Sequence, residues 1–243
     1  MICAIMQPTY NPWLGYFDMI DKVDIFVFLD DVQLAKRSWQ VRNRIKGANG
    51  EIWLTIPIKK TAKRDEIRIK DALPNYEQNW TDKHLKTIEH NYKKAKYFNE
   101  VFPFIENHFS KKAESLAEFN SQLIMDIAKK IGTSTVFKYS SQLNVEGNKD
   151  VKLVNICKKL DTEEYLSPQG SAVYINQHHK GGEFVTNNID LYYHDYEHPV
   201  YKQLYGEFLP YMGILDLLMN EGFEKSLEII QAGRKENIHY LNF

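Results

Sequence analysis

Two short, wholly apolar runs joined by a helical stripe constrain this chain more than any other feature. Ile2-Cys3-Ala4-Ile5-Met6 ends at Gln7-Pro8, and because proline cannot continue a ladder the run reads as a buried parallel strand. A turn-rich loop, Gln7-Pro8-Thr9-Tyr10-Asn11-Pro12, comes next, and Trp13, Leu14, Phe17, Ile20 and Asp21 then recur at helical spacing. Ile25-Phe26-Val27-Phe28-Leu29 is a second continuous apolar run, closed by Asp30-Asp31. A right-handed crossover between parallel strands follows, so residues 1–31 read as one βαβ unit.

The remainder keeps the alternation. Arg42–Lys46 and Ile52–Ile58 flank Ala48-Asn49-Gly50, which predicts a β-hairpin. Thr81 is a plausible N-cap for a helix to about Lys94, and a second helix through Phe98, Phe102, Ile105 and Phe109 is expected to break at Pro103. Leu116, Phe119, Leu123, Ile124, Ile127 and Ile131 form the clearest 3.6-residue stripe, stopped at Gly132 and followed by a strand over Thr135–Tyr139. A helix over 148–160, strands at 164–166 and 189–193, and a C-terminal helix from Ile214 interrupted at Gly222 complete the reading. The expected fold is α/β: an N-terminal βαβ unit, a mostly parallel sheet flanked by helices, a β-hairpin insertion and a helical middle region. One domain over 1–243 is expected, with a helical lobe at about 78–132.

Composition enters by exclusion. Thirty-one Lys+Arg against 32 Asp+Glu leave a formal charge of -1, so no global field draws the chain to nucleic acid. Its two cysteines, Cys3 and Cys157, are too few for a disulfide framework or a zinc quartet, which fits a reducing, cytoplasmic setting. The apolar stretches are too short for a membrane span, and Met1–Met6 runs into Gln7-Pro8 without a signal-peptide pattern, so a chain neither secreted nor membrane-spanning is expected. Neither G-x-G-x-x-G, nor a P-loop, nor a G-x-S-x-G elbow occurs. The histidine spacings lack a matching metal-ligand set.

The loop after the first strand is the leading candidate site, because ligands of open α/β sheets bind outside the carboxyl ends of strands. Gln7, Thr9, Tyr10, Asn11 and Trp13 would surround that position. Gly15 sits two residues into the helix, where glycine costs about 1 kcal/mol relative to alanine. It implies either close approach of backbone or ligand, or tight packing of helix on sheet. Asp30 and Asp31 end the second strand and could hold a sugar hydroxyl, an ammonium or a magnesium ion, or simply be a solvated terminus. Lys36, Arg37, Arg42, Arg44 and Lys46 put five cations around Trp39, suited to gripping a diphosphate and stacking on a base, or equally to a charged hairpin surface. Ser167-Pro168-Gln169-Gly170-Ser171 is a polar turn after a strand, a pocket edge or a plain αβ turn. Tyr201, Gln203, Tyr205, Phe208 and Tyr211 would wall a sugar or finish a core.

These residues carry a resemblance. Met6-Gln7-Pro8, Gly15-Tyr16-Phe17, Asp24-Ile25-Phe26-Val27, Asp30-Asp31-Val32, Lys36, Trp39 and Asn43-Arg44-Ile45 resemble the start of the WbqC-like family. Looser matches continue through Leu54-Thr55-Ile56-Pro57, Glu89-His90-Asn91-Tyr92, Ser140-Ser141, Tyr165–Pro168 with Gly170, and Tyr201–Asp216. Met212-Gly213 departs from the usual Leu-Ser, which weakens any role for a serine hydroxyl there, and His178-His179-Lys180 is a local variation. The resemblance implies bacterial O-antigen or surface-polysaccharide biosynthesis and modification of nucleotide-linked amino sugars. The expected activity is therefore N-acyl or aminoacyl transfer to such a sugar, with acyl-CoA or another activated acyl donor as co-substrate. Asp30 or Asp31 would act as base or orienting group, Gln7 and Asn43 would hold hydroxyls or the carbonyl, and Arg42 and Arg44 would pair with the diphosphate. Trp39 or Tyr10 would stack on a ring, while Thr9, Asn11, Trp13, Gly15, Lys36, Ser167 and Gly170 complete the expected binding set. Two alternatives stand beside it: a non-catalytic sugar-nucleotide-binding or scaffold protein, and an ATP-dependent ligase working through an acyl-adenylate. The opening is also loosely similar to adenylyl-transferring enzymes with a HIGH-type motif, but Trp13 and Tyr16 occupy its histidine places.

Overall fold

A computed structural model describes residues 1–35, 38–60 and 66–243; Lys36 and Arg37, and with them part of the predicted cation cluster, lie outside the described residues. The chain opens with β1 (Ile2–Met6), α1 (Leu14–Asp21) and β2 (Ile25–Phe28). The hairpin strands β3 (Arg42–Gly47) and β4 (Gly50–Thr55) follow, then α2 (Trp80–Tyr92), α3 (Phe98–Ser110), α4 (Leu116–Ile131) and β5 (Val136–Tyr139). The second half holds α5 (Ser140–Leu143), α6 (Lys149–Lys159), β6 (Glu164–Pro168), α7 (Ala172–Ile175), α8 (Gly182–Thr186), β7 (Asp190–His194), α9 (Ile214–Ala232) and β8 (Ile238–His239).

Six strands form one sheet in the order β5-β2-β1-β6-β7-β8. All neighbours run parallel except β7 and β8, which are antiparallel. The chain therefore builds outward from β1 to one edge, returns, and builds outward through β6 to the other. That reversal between β1 and β6 is the topological switch point of a doubly wound sheet. β3 and β4 form a separate two-stranded sheet.

Strand residues alternate between two cores. Ala4, Phe26, Phe28 and Leu166 pack with α1, α4 and α9, whereas Cys3, Ile5, Val27, Tyr165 and Leu191 pack with α6, α7 and α8. Helices on both faces explain why β1 and β2 are apolar at every position rather than alternating. Each fully buried Phe of β2 contributes about 2 kcal/mol by leaving water. The cysteines are both free and buried.

Some expectations shift. The N-cap of α2 is Asn79 in the left-handed region (φ 48°), so Thr81 lies inside the first turn. Pro103 does not break α3: it sits on the exposed face, where the helix forgoes only the bond to the Asn99 carbonyl. In the hairpin Gly47 pairs with Gly50, so the turn centres on Ala48-Asn49 and the positive φ (111°) falls on Gly50. β4 stops at Thr55 rather than reaching Ile58. Gly132 closes α4 in the left-handed region (φ 100°) as its position implies.

Candidate functional site

The loop after β1 is held from three sides, which fixes what it can present. Asn43 of β3 donates from Nδ2 to the Tyr10 and Asn11 carbonyls at 3.1 and 2.7 Å. Asn11 adopts a left-handed conformation (φ 45°), and its Oδ1 accepts from the Leu215 amide in α9 at 3.1 Å. Asn120 of α4 donates to the Pro8 and Gln40 carbonyls at 3.0 and 2.8 Å. Tyr10 points away from any ligand: it is fully buried, and its hydroxyl meets His84 Nδ1 at 2.9 Å. Asn11, Tyr10 and Asn43 thus build the loop; of the three, only Asn43 also reaches a cavity wall.

That architecture leaves two adjoining cavities at the carboxyl edge of the sheet. An aromatic chamber of about 280 Å³ is lined by Met6, Thr9, Trp13, Tyr16, Trp39, Asn43 and Tyr211. A crevice of about 320 Å³ lies at the switch point, with Gln7 and Gln40 on the β1 side, Pro168, Ser171 and Tyr174 on the β6 side, and Leu29 and Leu153 between. Met6, Thr9 and Trp39 line both. Gln40 donates to the Gln7 side-chain oxygen, and the Tyr16 hydroxyl donates to the Gln7 carbonyl at 3.0 Å, so the polar rim is set before any ligand arrives.

Gly15 is explained by its own neighbour. A Cβ there would lie 2.3 Å from the Trp13 ring, so the close approach is neither ligand nor sheet but the indole that walls the chamber. On the opposite rim Trp39, 51% exposed, stacks on Trp53, 43% exposed, with centroids 5.7 Å apart. The Arg42 guanidinium lies 4.6 Å from the Trp53 ring, an attractive cation–π arrangement. Arg44 is not available for a diphosphate: it pairs with Glu51 at 2.6 Å and donates to the Tyr211 carbonyl at 3.3 Å.

The carboxylates after β2 have separate fates. Asp30 is buried and accepts from the Ser141 amide and hydroxyl at 3.0 and 2.6 Å, and its Oδ1 lies 3.0 Å from Ser140 Oγ, whose one hydrogen goes to the nearer Asp31. Asp30 ties β2 to the start of α5, and its hydrogen bonds leave it unsuited to the expected role of base. Asp31 accepts from Ser140 at 2.6 Å and from Lys152 of α6 at 2.6 Å. Burial raises its carboxyl, but the Lys152 and Ser140 hydrogen bonds outweigh that and hold it below the usual carboxylate range. It stays ionised, and it lines neither the chamber nor the crevice.

The β6 turn contributes differently from expectation. Ser167 is buried and donates to the Pro168 carbonyl at 3.2 Å, so the crevice hydroxyl is Ser171 instead. Gly170 faces open space, with no atom within 4 Å of the place a Cβ would occupy. Of the 201–211 stretch only Tyr211 reaches the chamber; Tyr201 and Gln203 donate to the buried Asp216, each at 2.7 Å. His194 and His198 do not act together: His194 meets Asp18 at 2.7 Å, and His198 packs against Trp13 with its Nδ1 2.9 Å from the Pro199 carbonyl. Among the described residues no group of His, Cys, Asp and Glu is placed to hold a metal ion. No helix among them is long and apolar enough to cross a membrane.

The chain matches the model of the WbqC-like protein family over residues 7–228, a span that runs from the loop after β1 to α9. It belongs to the WbqC-like family. This WbqC-like chain is also similar to a protein of Mycobacterium tuberculosis named "Uncharacterized protein Rv1507c", 34% identical over 223 residues, covering 91% of this chain and 94% of that one. No solved structure matches it.

Several residues of the WbqC-like site escaped sequence reasoning. Gln40, Trp53, Tyr174 and Lys152 carry no local motif, and each reaches the site by tertiary packing. Ser140-Ser141 did carry a signal, two hydroxyls directly after a strand, but their partner Asp30 lies 110 residues upstream of Ser140.

Proposed function

We propose that this WbqC-like protein forms an amide on the amino group of a nucleotide-linked deoxyamino sugar, drawing the acyl or aminoacyl group from an activated donor in surface-polysaccharide biosynthesis. The observation that supports this best is the pair of adjoining cavities sharing Met6, Thr9 and Trp39 at the switch point. A transfer between two substrates needs two adjacent seats, and holding both in reacting geometry is a large part of the catalysis. A ring from one substrate stacks on Trp39, backed by Trp53 and Arg42; Gln7, Thr9, Gln40 and Ser171 hold hydroxyls and the carbonyl. The acceptor ammonium first gives one proton to solvent; its amine nitrogen then attacks the donor carbonyl carbon, a C–N bond forms, the bond to the leaving group breaks, and the second nitrogen proton ends on the leaving group, a thiol if the donor is a thioester.

The test is mass-spectrometric detection of amide product from a panel of nucleotide-linked aminosugars, each paired with acyl-CoA, other acyl donors or ATP plus acid. Thermal shifts measured first should single out one sugar nucleotide, since a ligand at 100 times its Kd raises the midpoint of a chain this size by about 5 °C or more. Trp39→Ala and Thr9→Val should each cut the yield of product about tenfold at subsaturating sugar nucleotide in folded protein. Selective binding with no donor-dependent product would overturn transfer in favour of a sugar-nucleotide carrier, and product only with ATP would replace acyl transfer by ligation.

A further inference from the structure

A third and larger cavity, not used by the reading above, lies beyond the carboxyl ends of β2 and β5. It has a volume of about 560 Å³ and is lined by Asp31, Arg68, Glu146, Lys149 and Lys152 with their neighbours. A hollow of about 310 Å³ sharing Asp31, Arg68 and Glu146 extends it to Lys70 and Ser141. Leu29 and Leu153 line the crevice, while Asp31 and Lys152, next to them along the chain, line this basin.

Four cations line the basin and its extension, Arg68, Lys70, Lys149 and Lys152, of which Lys70 pairs with Asp71 at 3.0 Å. Three acids also line the basin, Asp31, Glu66 and Glu146. Asp31 and Lys152 pair with one another, both side chains only 12% exposed, and Glu66 and Glu146 are exposed, as are Arg68 and Lys149, so water screens both signs there. The Lys152 ammonium is the distinctive group. It is nearly buried, Asp31 fixes its position, and Asp31 is fixed in turn by Ser140. An ammonium has three N–H donors, and among the described residues Lys152 uses only the one to Asp31. Its two other N–H donors belong to a side chain that lines the basin, where an anion can take the place of water. The basin also receives the start of α6, whose N-cap Asn148 supplies no side-chain hydrogen bond, so the helix's positive end adds to the same field.

We propose that this basin is a phosphate site, taking the mono- or diphosphate of one co-substrate through Lys152, Arg68 and Lys149 while the reacting end reaches past Leu29 and Leu153 into the crevice. The identity of the rest of that ligand rests on the proposed amide-forming activity; the anion seat stands by itself, and inorganic pyrophosphate probes it alone.

Calorimetric titration of the whole protein with inorganic pyrophosphate should show one saturable equivalent. Arg68→Gln, at an exposed position where the fold loses little, should weaken binding about tenfold, the worth of one charge-assisted hydrogen bond. Lys152→Gln should weaken it at least as much; because that variant also strips Asp31 of its cation, Arg68→Gln carries the test if Lys152→Gln is poorly folded. Trp39→Ala, across the crevice, should bind pyrophosphate as wild type does. Absence of saturable pyrophosphate binding, or wild-type affinity in Arg68→Gln, overturns the site. A uridine-diphosphate aminosugar forms the second arm: affinity reduced by both Arg68→Gln and Trp39→Ala places its phosphate in the basin and its body in the crevice, whereas sensitivity to Trp39→Ala alone rejects the basin as a substrate seat. Pyrophosphate bound as described with no amide product from any donor leaves the anion site standing and removes only the transfer reaction.

Discussion

Two acids on this chain, one fully buried and one partly so, are both held by side-chain hydrogen bonds and shift in opposite directions. Asp216, at the first turn of α9, is fully buried and accepts from the Tyr92 hydroxyl at 2.6 Å and from Tyr201 and Gln203 at 2.7 Å each. Its cation stands one step away, since Lys46, itself buried, donates to Gln203 at 3.0 Å. Burial pushes the Asp216 carboxyl up, and the three hydrogen bonds only partly offset it. Asp31 touches its cation directly and is held low. The Asp216 cluster is closed, each of its oxygens answered by protein, and it joins hairpin, α2 and α9 as framework. The Asp31 cluster is open on one side, and there the protein leaves donors for a visitor.

That contrast assigns the largest effect to the closed cluster. Asp216→Ala leaves the buried Tyr92 and Tyr201 hydroxyls and the Gln203 amide without their acceptor, and should lower unfolding free energy by about 3–5 kcal/mol in urea titrations. Asp31→Ala, beside water, should cost about 1–2 kcal/mol; equal losses at the two positions would erase the distinction.

Acid sharpens the comparison next. Burial lowers His84 and His108 in the helical region to about 4. A histidine depressed in the folded state contributes stability that is complete above its unfolded value near 6.5 and is lost as pH falls from there toward 4. At pH 5 each histidine should cost about 2 kcal/mol relative to pH 7. Asp31, lowered, loses its contribution only as pH falls below the ordinary carboxylate range, and Asp216, raised, gains on protonation. Urea midpoints at pH 7 and pH 5 should therefore fall steeply in wild type and less in His108→Phe, whereas Asp31→Asn should leave that window unchanged.

The chamber side supplies the smaller effects. Gly15→Ala places a methyl against the Trp13 indole, and should cost about 1–2 kcal/mol with a shifted tryptophan emission as the ring swings into the chamber. Trp39→Ala should change stability by less than about 0.5 kcal/mol while weakening a ring-bearing ligand about tenfold. A large stability loss there would make Trp39 framework, like Asp216.

The layered α/β plan was legible because β1 and β2 are apolar at every position, a pattern that only strands buried on both faces require. The α4 stripe with its Gly132 stop was equally plain. β8 was not, since two residues, Ile238 and His239, carry no period. The candidate loop was located correctly in space, yet the roles within it were not readable. Tyr10 turns inward because His84 waits in α2, and Arg44 is claimed by Glu51 across the hairpin. Asp30 and Asp31, adjacent and identical in chemistry, diverge only because Ser141 and Lys152 arrive from far along the chain. Side-chain partners separated by a hundred residues leave no trace in local spacing.

The crevice at the switch point also has a place in time. β1 meets β2 across a short crossover, Cys3 opposite Ile25, but meets β6 only after the whole helical middle has been made, Ile2 opposite Glu164. Closing the longer loop carries about 2 kcal/mol more chain entropy, and contacts so distant form slowly. The first half of the sheet can thus assemble with one lip of the crevice and no opposing one. A ligand spanning Gln7 and Ser171 binds only once that seam has closed and slows its reopening, making the site itself a latch on the order in which the two halves come apart.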